Sequence, residues 1–505
     1  MRALVLAALL LLPTGVVAQD SMKIGDGLHK RDRIEIEVGG SMRLRASLLH
    51  NLDLDRGSTP SGQSLYPTLA GNSSEQTLLA AETRLRLDSS IFPMGSIAVK
   101  SRIDVFETRS LNSELVGDAP SGRPGVEGQR STQDAFQVRW AYGEARTPLG
   151  VLVAGRTGVH WGLGILTNDG SCDHCDGGDV ADRVAFVSSF LSHTWAFAFD
   201  WSANGASRLS HHTGGQNELT DAQSYSFAFM RTRSESSRKR RRRAGASHVE
   251  YGVLASYRTQ DVDRSTGVEL PRDLKVLALD GWSRLSFPNF VIEAEFVYLC
   301  GEIGQASIVP GVLLPQSVTI DQIGAAMKSE YGALDGAFGI GLDMGYASGD
   351  SAPGFSAYSG SGQSSPVAGD IGGYQAGPGD RSINNFRFSS DYHVDRILFR
   401  EILGGVSDAI YVRPHLRYRL SRVGRGELSA ELFAVFSMAV EAASTPGHKA
   451  PLAVEIDPSL KYQQQNFRAL LDYAYLHPLE GLDNPEAGLK AKPAHLLKLH
   501  LAYLF

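Results

Sequence analysis

Beyond residue 18, no stretch of this 505-residue chain approaches the ~18 consecutive apolar residues that a membrane-spanning helix requires. A bundle of spanning helices is therefore excluded. Three cysteines leave at most one disulfide and one odd thiol, so no disulfide framework carries the fold. Neither sign of charge dominates: the formal net charge is -6, and a nucleic-acid partner has no bulk electrostatic basis. Catalytic signatures are also missing, with no G-x-S-x-G elbow, no H-E-x-x-H and no P-loop. His160, His211 and His212 have no nucleophile beside them. The chain does not read as an enzyme.

Residues 1–18 form the one apolar segment. Arg2 precedes the run 3–12, and Val16, Val17 and Ala18 fit a small-residue cleavage site, the pattern of a secretory signal peptide. Residues 19–32 read as a short periplasmic lead, and 33–505 as one domain. Mean hydropathy is near neutral at -0.14. A lipid-exposed barrel hides its hydrophobicity in this way, because only every second strand residue meets lipid.

Two-residue periodicity is what the chain has in abundance. Ile34, Ile36, Val38, Met42, Leu44 and Leu48 alternate with Glu35, Glu37, Arg43, Arg45 and Ser47. Trp195, Phe197, Phe199 and Trp201 form an aromatic row, and Tyr225, Phe227 and Phe229 form another. Such rows suit the girdles of membrane barrels. About eighteen such segments follow one another, separated alternately by long and short connections. The predicted fold is all-β: a transmembrane antiparallel up-and-down β-barrel with short periplasmic turns and long extracellular loops. It would be an integral protein of the outer membrane.

The polar rows would line the bore. The inward candidates are Arg43, Arg45, Arg84, Arg86, Arg102, Arg139, Arg156, Asp343, Arg413, His415, Arg417, Arg419 and Glu431. Two readings stand: the charges pair across strands and solvate the bore, or Arg413, His415, Arg417 and Arg419 form a basic ladder guiding anions.

Three segments carry further chemistry. The outer loop 348–408 is too long for a plain connection. Its second half spaces Val394, Ile397, Leu398 and Ile402 like an amphipathic helix. Tyr392, Asp395, Arg396, Arg400 and Glu401 would sit on a segment that either narrows the bore or packs outside it. In the loop 169–179, Cys172 and Cys175 read as a short disulfide rather than half of a zinc site. Asp173, Asp176 and Asp179 there are candidate Ca2+ ligands, though not at EF-hand spacing. No other cofactor is implied. The run Arg238-Lys239-Arg240-Arg241-Arg242-Arg243 falls in a periplasmic turn and reads as a solvated turn, or as a site of attraction for anionic lipid or cell-wall polymer.

Three resemblances accompany these patterns. Residues 494–505 alternate into a final Phe505, which resembles the terminal signal of Gram-negative outer-membrane β-barrels and implies recognition by the barrel-assembly machinery. The segments GVLVAGRTGVHWGLGILTNDG, FRFSSDYHVDRILFREILGG and LAVEIDPSLKY resemble a little-characterised myxobacterial outer-membrane family and, more distantly, alginate-export-type porins. Those porins carry a strongly basic bore for a polyanion, whereas the charges here are mixed. The function expected is a porin-like channel passing hydrophilic solutes passively. The alternatives are exopolysaccharide export with periplasmic partners, and a non-transporting structural or adhesive barrel. Outer-membrane lipid and lipopolysaccharide are the expected surroundings, and small hydrophilic solutes or polysaccharide the cargo.

Overall fold

The computed structural model describes residues 24–25, 28–60, 65–66, 68–69, 76–93, 95–111, 115–116, 136–172, 174–175, 177–201, 222–263, 270–305, 317–332, 337–352, 369 and 381–505. The segment 1–18 lies outside them.

Eighteen antiparallel strands make the wall. They are β1 (Glu35–His50), β2 (Thr77–Phe92), β3 (Ile97–Leu111), β4 (Phe136–Thr147), β5 (Gly150–Gly158) and β6 (Val180–Phe190). Next come β7 (His193–Asp200), β8 (Gln223–Arg231), β9 (His248–Asp263), β10 (Leu270–Ser286), β11 (Phe290–Ile303) and β12 (Val318–Tyr331). The last are β13 (Phe338–Ala347), β14 (Ala409–Val423), β15 (Gly426–Ala439), β16 (Pro451–Gln464), β17 (Phe467–Pro478) and β18 (Ala494–Leu504). Each pairs with its sequence neighbour, and β18 pairs with β1, so the sheet closes on itself. At the seam the Phe505 amide donates to the Gly40 carbonyl at 3.1 Å, and Gly40 returns the bond at 2.9 Å. A closed cylinder leaves no unpaired strand edge.

Alternation decides which row faces out. On β1, Val38 is 63% exposed while Arg43 is 2% exposed. The outward rows are apolar around the whole wall, through Phe197, Phe296, Ile340, Leu432 and Leu499. A soluble monomer rarely exposes a contiguous apolar surface beyond a few hundred Å². On β7–β9 the outward aromatics touch: His193 stacks on Phe229 at 4.6 Å, and Trp195 meets Phe229 edge-on at 4.6 Å.

Short connections join β2–β3, β4–β5, β6–β7, β10–β11, β14–β15 and β16–β17 at one end of the cylinder. Long ones gather at the other, with one departure from the expected alternation. The β9–β10 connection, on the long-loop side, spans only 264–269 because both strands run on as a hairpin. A second departure lies at the short-turn end, where the β8–β9 connection holds a helix, α1 (Glu235–Arg243), in place of the expected solvated turn.

The main apolar core sits inside the cylinder. Leu163, Ile165, Phe386, Phe388, Ile397, Leu398 and Phe399, all from loops, pack against Trp282, Val297, Tyr411, Val435, Leu476 and Leu496 of the wall. Small inward residues make the space. A Cβ on Gly324 would lie 2.3 Å from the Phe386 ring, and one on Gly345 would lie 2.1 Å from the Tyr411 ring. Over the long-loop end, Asn484 Nδ2 donates to the carbonyls of Arg56 and Ser58 at 3.0 and 2.9 Å, tying two outer loops together.

Candidate functional site: a crossbar of two inward loops

The loop between β5 and β6 and the end of the loop between β13 and β14 both turn into the bore. The first enters on apolar side chains. Trp161 donates from Nε1 to Asp280 Oδ1 on β10 at 3.0 Å. The amides of Leu163 and Gly164 donate to Glu295 Oε2 on β11, the second at 3.0 Å. The loop then crosses to the opposite wall. The Cys175 carbonyl accepts from Arg43 Nη1 at 2.9 Å and from Arg84 Nη1 at 3.1 Å. The Gly170 carbonyl accepts from Arg86 at 3.1 Å, and Ser171 Oγ from Arg102 at 3.0 Å. Cys172 and Cys175 are joined as a disulfide.

The second loop lies along β14 and β16–β18. Its expected amphipathic helix is not formed. Leu398–Ile402 is a five-residue π-helical turn with every residue buried, so it has no solvent face to be amphipathic toward. Glu455 of β16 caps the turn, accepting from the amides of Arg396 and Ile397 at 2.8 Å and of Leu398 at 3.0 Å. A carboxyl oxygen suits the free N–H groups at such a start. Arg396 pairs with Asp472 at 3.0 Å and Glu401 with Lys498 at 3.4 Å. The Val394 carbonyl accepts from Arg413 Nη1 at 2.7 Å, and the hydroxyls of Tyr392 and Tyr411 bond at 3.0 Å.

The two loops meet mid-bore. Asn168 Nδ2 donates to the Asp391 carbonyl at 3.3 Å, the Ser389 amide to Ile165 O at 2.8 Å, and Arg400 Nη2 to His174 O at 3.0 Å. Together they form one crossbar.

Burial sets the electrostatics of the crossbar. The Asp395 carboxyl is pushed well above its ordinary range by desolvation, then by the nearby Glu455 carboxylate. Desolvation holds His174 neutral, reinforced by the cationic Arg396 and Arg400 and by His500. The Tyr392 hydroxyl is pushed up by burial and its Tyr411 neighbour.

The sequence candidates divide into three sets. Arg43, Arg45, Arg84 and Arg86 are buried under the crossbar rather than lining an open bore; Arg43 and Arg45 share Glu82, and Arg86 holds Asp104 through two bonds at 2.7 and 2.8 Å. Arg139 completes that group on Asp104 at 3.1 Å, and Arg102 pairs with Asp88 at 2.6 Å. Arg156 pairs with Asp182 at 2.8 Å, away from the crossbar. In the third set, Arg413 pairs with Asp343, His415 lies 3.9 Å from the same carboxylate, Arg417 pairs with Glu330 at 2.6 Å and Arg419 with Glu427 at 2.9 Å. Glu431 stands opposite Arg417 in register. Each rung of the basic ladder thus has a carboxylate beside it.

Asp173 and Asp176 lie outside the described residues. Asp179 Oδ2 accepts the Asn168 amide at 2.8 Å, and among the described residues no group of three or more His, Cys, Asp or Glu is arranged to hold a metal ion. The anchoring roles of Asp280, Glu295 and Glu455 were missed by reasoning from the sequence. The available signal was the apolar run of Trp161, Leu163, Ile165 and Leu166 in a loop otherwise rich in Gly and Asp.

No family model matches the chain, and no curated protein matches it. Solved structures of similar outline include OccAB1 of Acinetobacter baumannii (9% identity, 93% of this chain and 96% of that one, TM-score 0.49). OccK5 (OpdH) of Pseudomonas aeruginosa is similar at 8% identity over 93% and 98%, TM-score 0.48. The outer membrane protein opdK of Pseudomonas aeruginosa follows at 12% identity over 93% and 99%, TM-score 0.46. At these identities and scores the likenesses decide nothing about activity, and the barrel stands on its own strand register.

Proposed function

We propose that the protein is an outer-membrane channel that passes small hydrophilic solutes through a bore narrowed by the crossbar. One observation carries the reading: the wall is apolar outside and charged inside, and two loops are bonded across its interior. An apolar outer band requires lipid. Loops bonded across the bore narrow what a channel passes, a narrowing for which a structural or adhesive barrel has no use. Pairing of inward Arg and Lys with inward Asp and Glu supports passage of modest-sized charged or polar solutes. The resemblance to alginate-export-type porins points instead to a polymer, and a bore spanned by two bonded loops argues against so wide a cargo. Lipopolysaccharide would surround the band, and β18 with Phe505 would be the element read by the barrel-assembly machinery.

The test is planar-bilayer conductance of the purified protein. Small, discrete steps are expected, rising several-fold when residues 392–404 are deleted. Absence of steps from wild type, with the protein shown to be inserted, would refute the channel.

A further inference from the structure

The basic run at 238–243 takes no part in the crossbar. It forms α1, begun by Ser234, whose Oγ accepts the Ser237 amide at 3.4 Å. Four arginines occupy its last turn, where the helix dipole favours cations. The helix has no apolar residue, so it has no face with which to lie in a lipid interface.

Its anchor shows where it stands. Buried Arg238 pairs with Glu250 at 3.2 Å, and the Arg233 amide donates to the same carboxylate at 2.5 Å. Glu250 belongs to the inward row of β9: Val249 and Val253, in the alternate row, are exposed to the outside, whereas Gly252, in the same row as Glu250, packs under Trp161 of the crossbar loop. The helix is therefore fixed to the lumen side of the rim at the short-turn end. Lys239, Arg240 and Arg243 remain exposed there. The carboxylates at hand, Glu235 and Glu250, already hold Lys239 at 2.6 Å and Arg238.

We propose that α1 is an electropositive collar at the short-turn mouth that enriches small anions and biases conduction toward them. The inference rests on the channel reading and adds its charge preference. A concentration of one sign in a low-dielectric opening focuses the field and raises the local counter-ion concentration. Lys and Arg at a pore entrance favour anions. The carboxylate-matched ladder inside would then not set selectivity; the mouth would.

The test uses the full-length protein in phosphatidylcholine bilayers under a KCl gradient, with dilute salt on the short-turn side. Wild type is compared with Lys239→Glu/Arg240→Glu/Arg243→Glu and with the corresponding triple Gln variant. The expected result is a reversal potential displaced toward potassium in both, with the Gln variant displaced about half as far. The difference should shrink near 1 M salt, where the Debye length falls to about 3 Å. Conducting variants with unchanged reversal potentials would overturn the collar while leaving the channel intact. A silent, inserted wild type would overturn the channel itself. A displacement seen only when phosphatidylglycerol is present would assign α1 to lipid headgroups and also overturn the collar. Should the Glu variant fail to insert, the Gln variant decides.

Discussion

The side chain of Asn168 donates to the main-chain carbonyl of Asp391 at 3.3 Å across 223 residues of sequence. Neither residue belongs to the wall, so the bond joins loop to loop. With Arg400 on the His174 carbonyl at 3.0 Å, it makes the crossbar a single span supported on opposite sides of the barrel. A span held at both ends cannot be loosened on one side without strain reaching the other.

That coupling is measurable. Asn168→Ala and Arg400→Ala should each increase the frequency of brief high-conductance openings in bilayer records. Groups sharing one bonded element are not additive. The double variant should therefore open less often than the product of the single effects predicts. Independent effects would mean that the loops move separately.

Glu455→Ala should release the second loop. The substitution leaves the amides of Arg396, Ile397 and Leu398 without their acceptor. A buried unsatisfied donor costs roughly 1–3 kcal/mol, so three exceed what a short turn can absorb. The loop should leave its seat, raising mean conductance and exposing residues 396–402 to protease, while the strand content seen by circular dichroism is retained. A protected loop in this variant would show that the apolar contacts of Ile397, Leu398 and Phe399 suffice.

Reduction should act through the first loop. The disulfide between Cys172 and Cys175 shapes the turn whose carbonyl receives both Arg43 and Arg84. Cys172→Ser/Cys175→Ser should raise open-channel noise by a few-fold and make the channel insensitive to dithiothreitol, whereas wild type should respond to it. Cys300, free in β11, should not contribute.

How much of this could be read from the chain follows from how far each contact reaches. Alternation of Leu497, Leu499 and Tyr503 with Lys498 and His500 is local, and lipid imposes it on every strand, so the barrel and its count were legible. The ladder from Arg413 to Arg419 was legible as inward charge, but its partners Asp343, Glu330 and Glu427 lie on other strands or beyond a turn, and register alone decides the pairing. The crossbar was harder still. Arg43 looks the same in sequence whether it faces water or the Cys175 carbonyl. Val394, Ile397, Leu398 and Ile402 did announce burial, but a segment buried on all sides has no helical stripe, so periodicity misdescribed its shape.

Asp408 should make the outer end of the structure sensitive to pH. Its carboxyl accepts the Glu441 amide at 2.9 Å and the Ser444 hydroxyl, linking the end of the long loop to the next outer loop. Burial pushes it up from 3.8 to about 7, against the lowering effect of those two bonds. The folded lock thus holds its proton more tightly than the released loop does. Below about pH 4 both forms are protonated and the lock carries no penalty; as pH rises toward 7 the penalty grows, and above 7 it is complete. Amide exchange at Val440 to Thr445 should therefore be slower at pH 5 than at pH 8, after correction for the intrinsic pH dependence of exchange. Asp408→Asn is the informative variant. The residue sits at φ 45°, a left-handed conformation that Asn accepts, and its amide oxygen can still receive a hydrogen bond. In that variant the corrected exchange should be slow at both pH values. A variant retaining the wild-type difference would place the pH-sensitive group elsewhere.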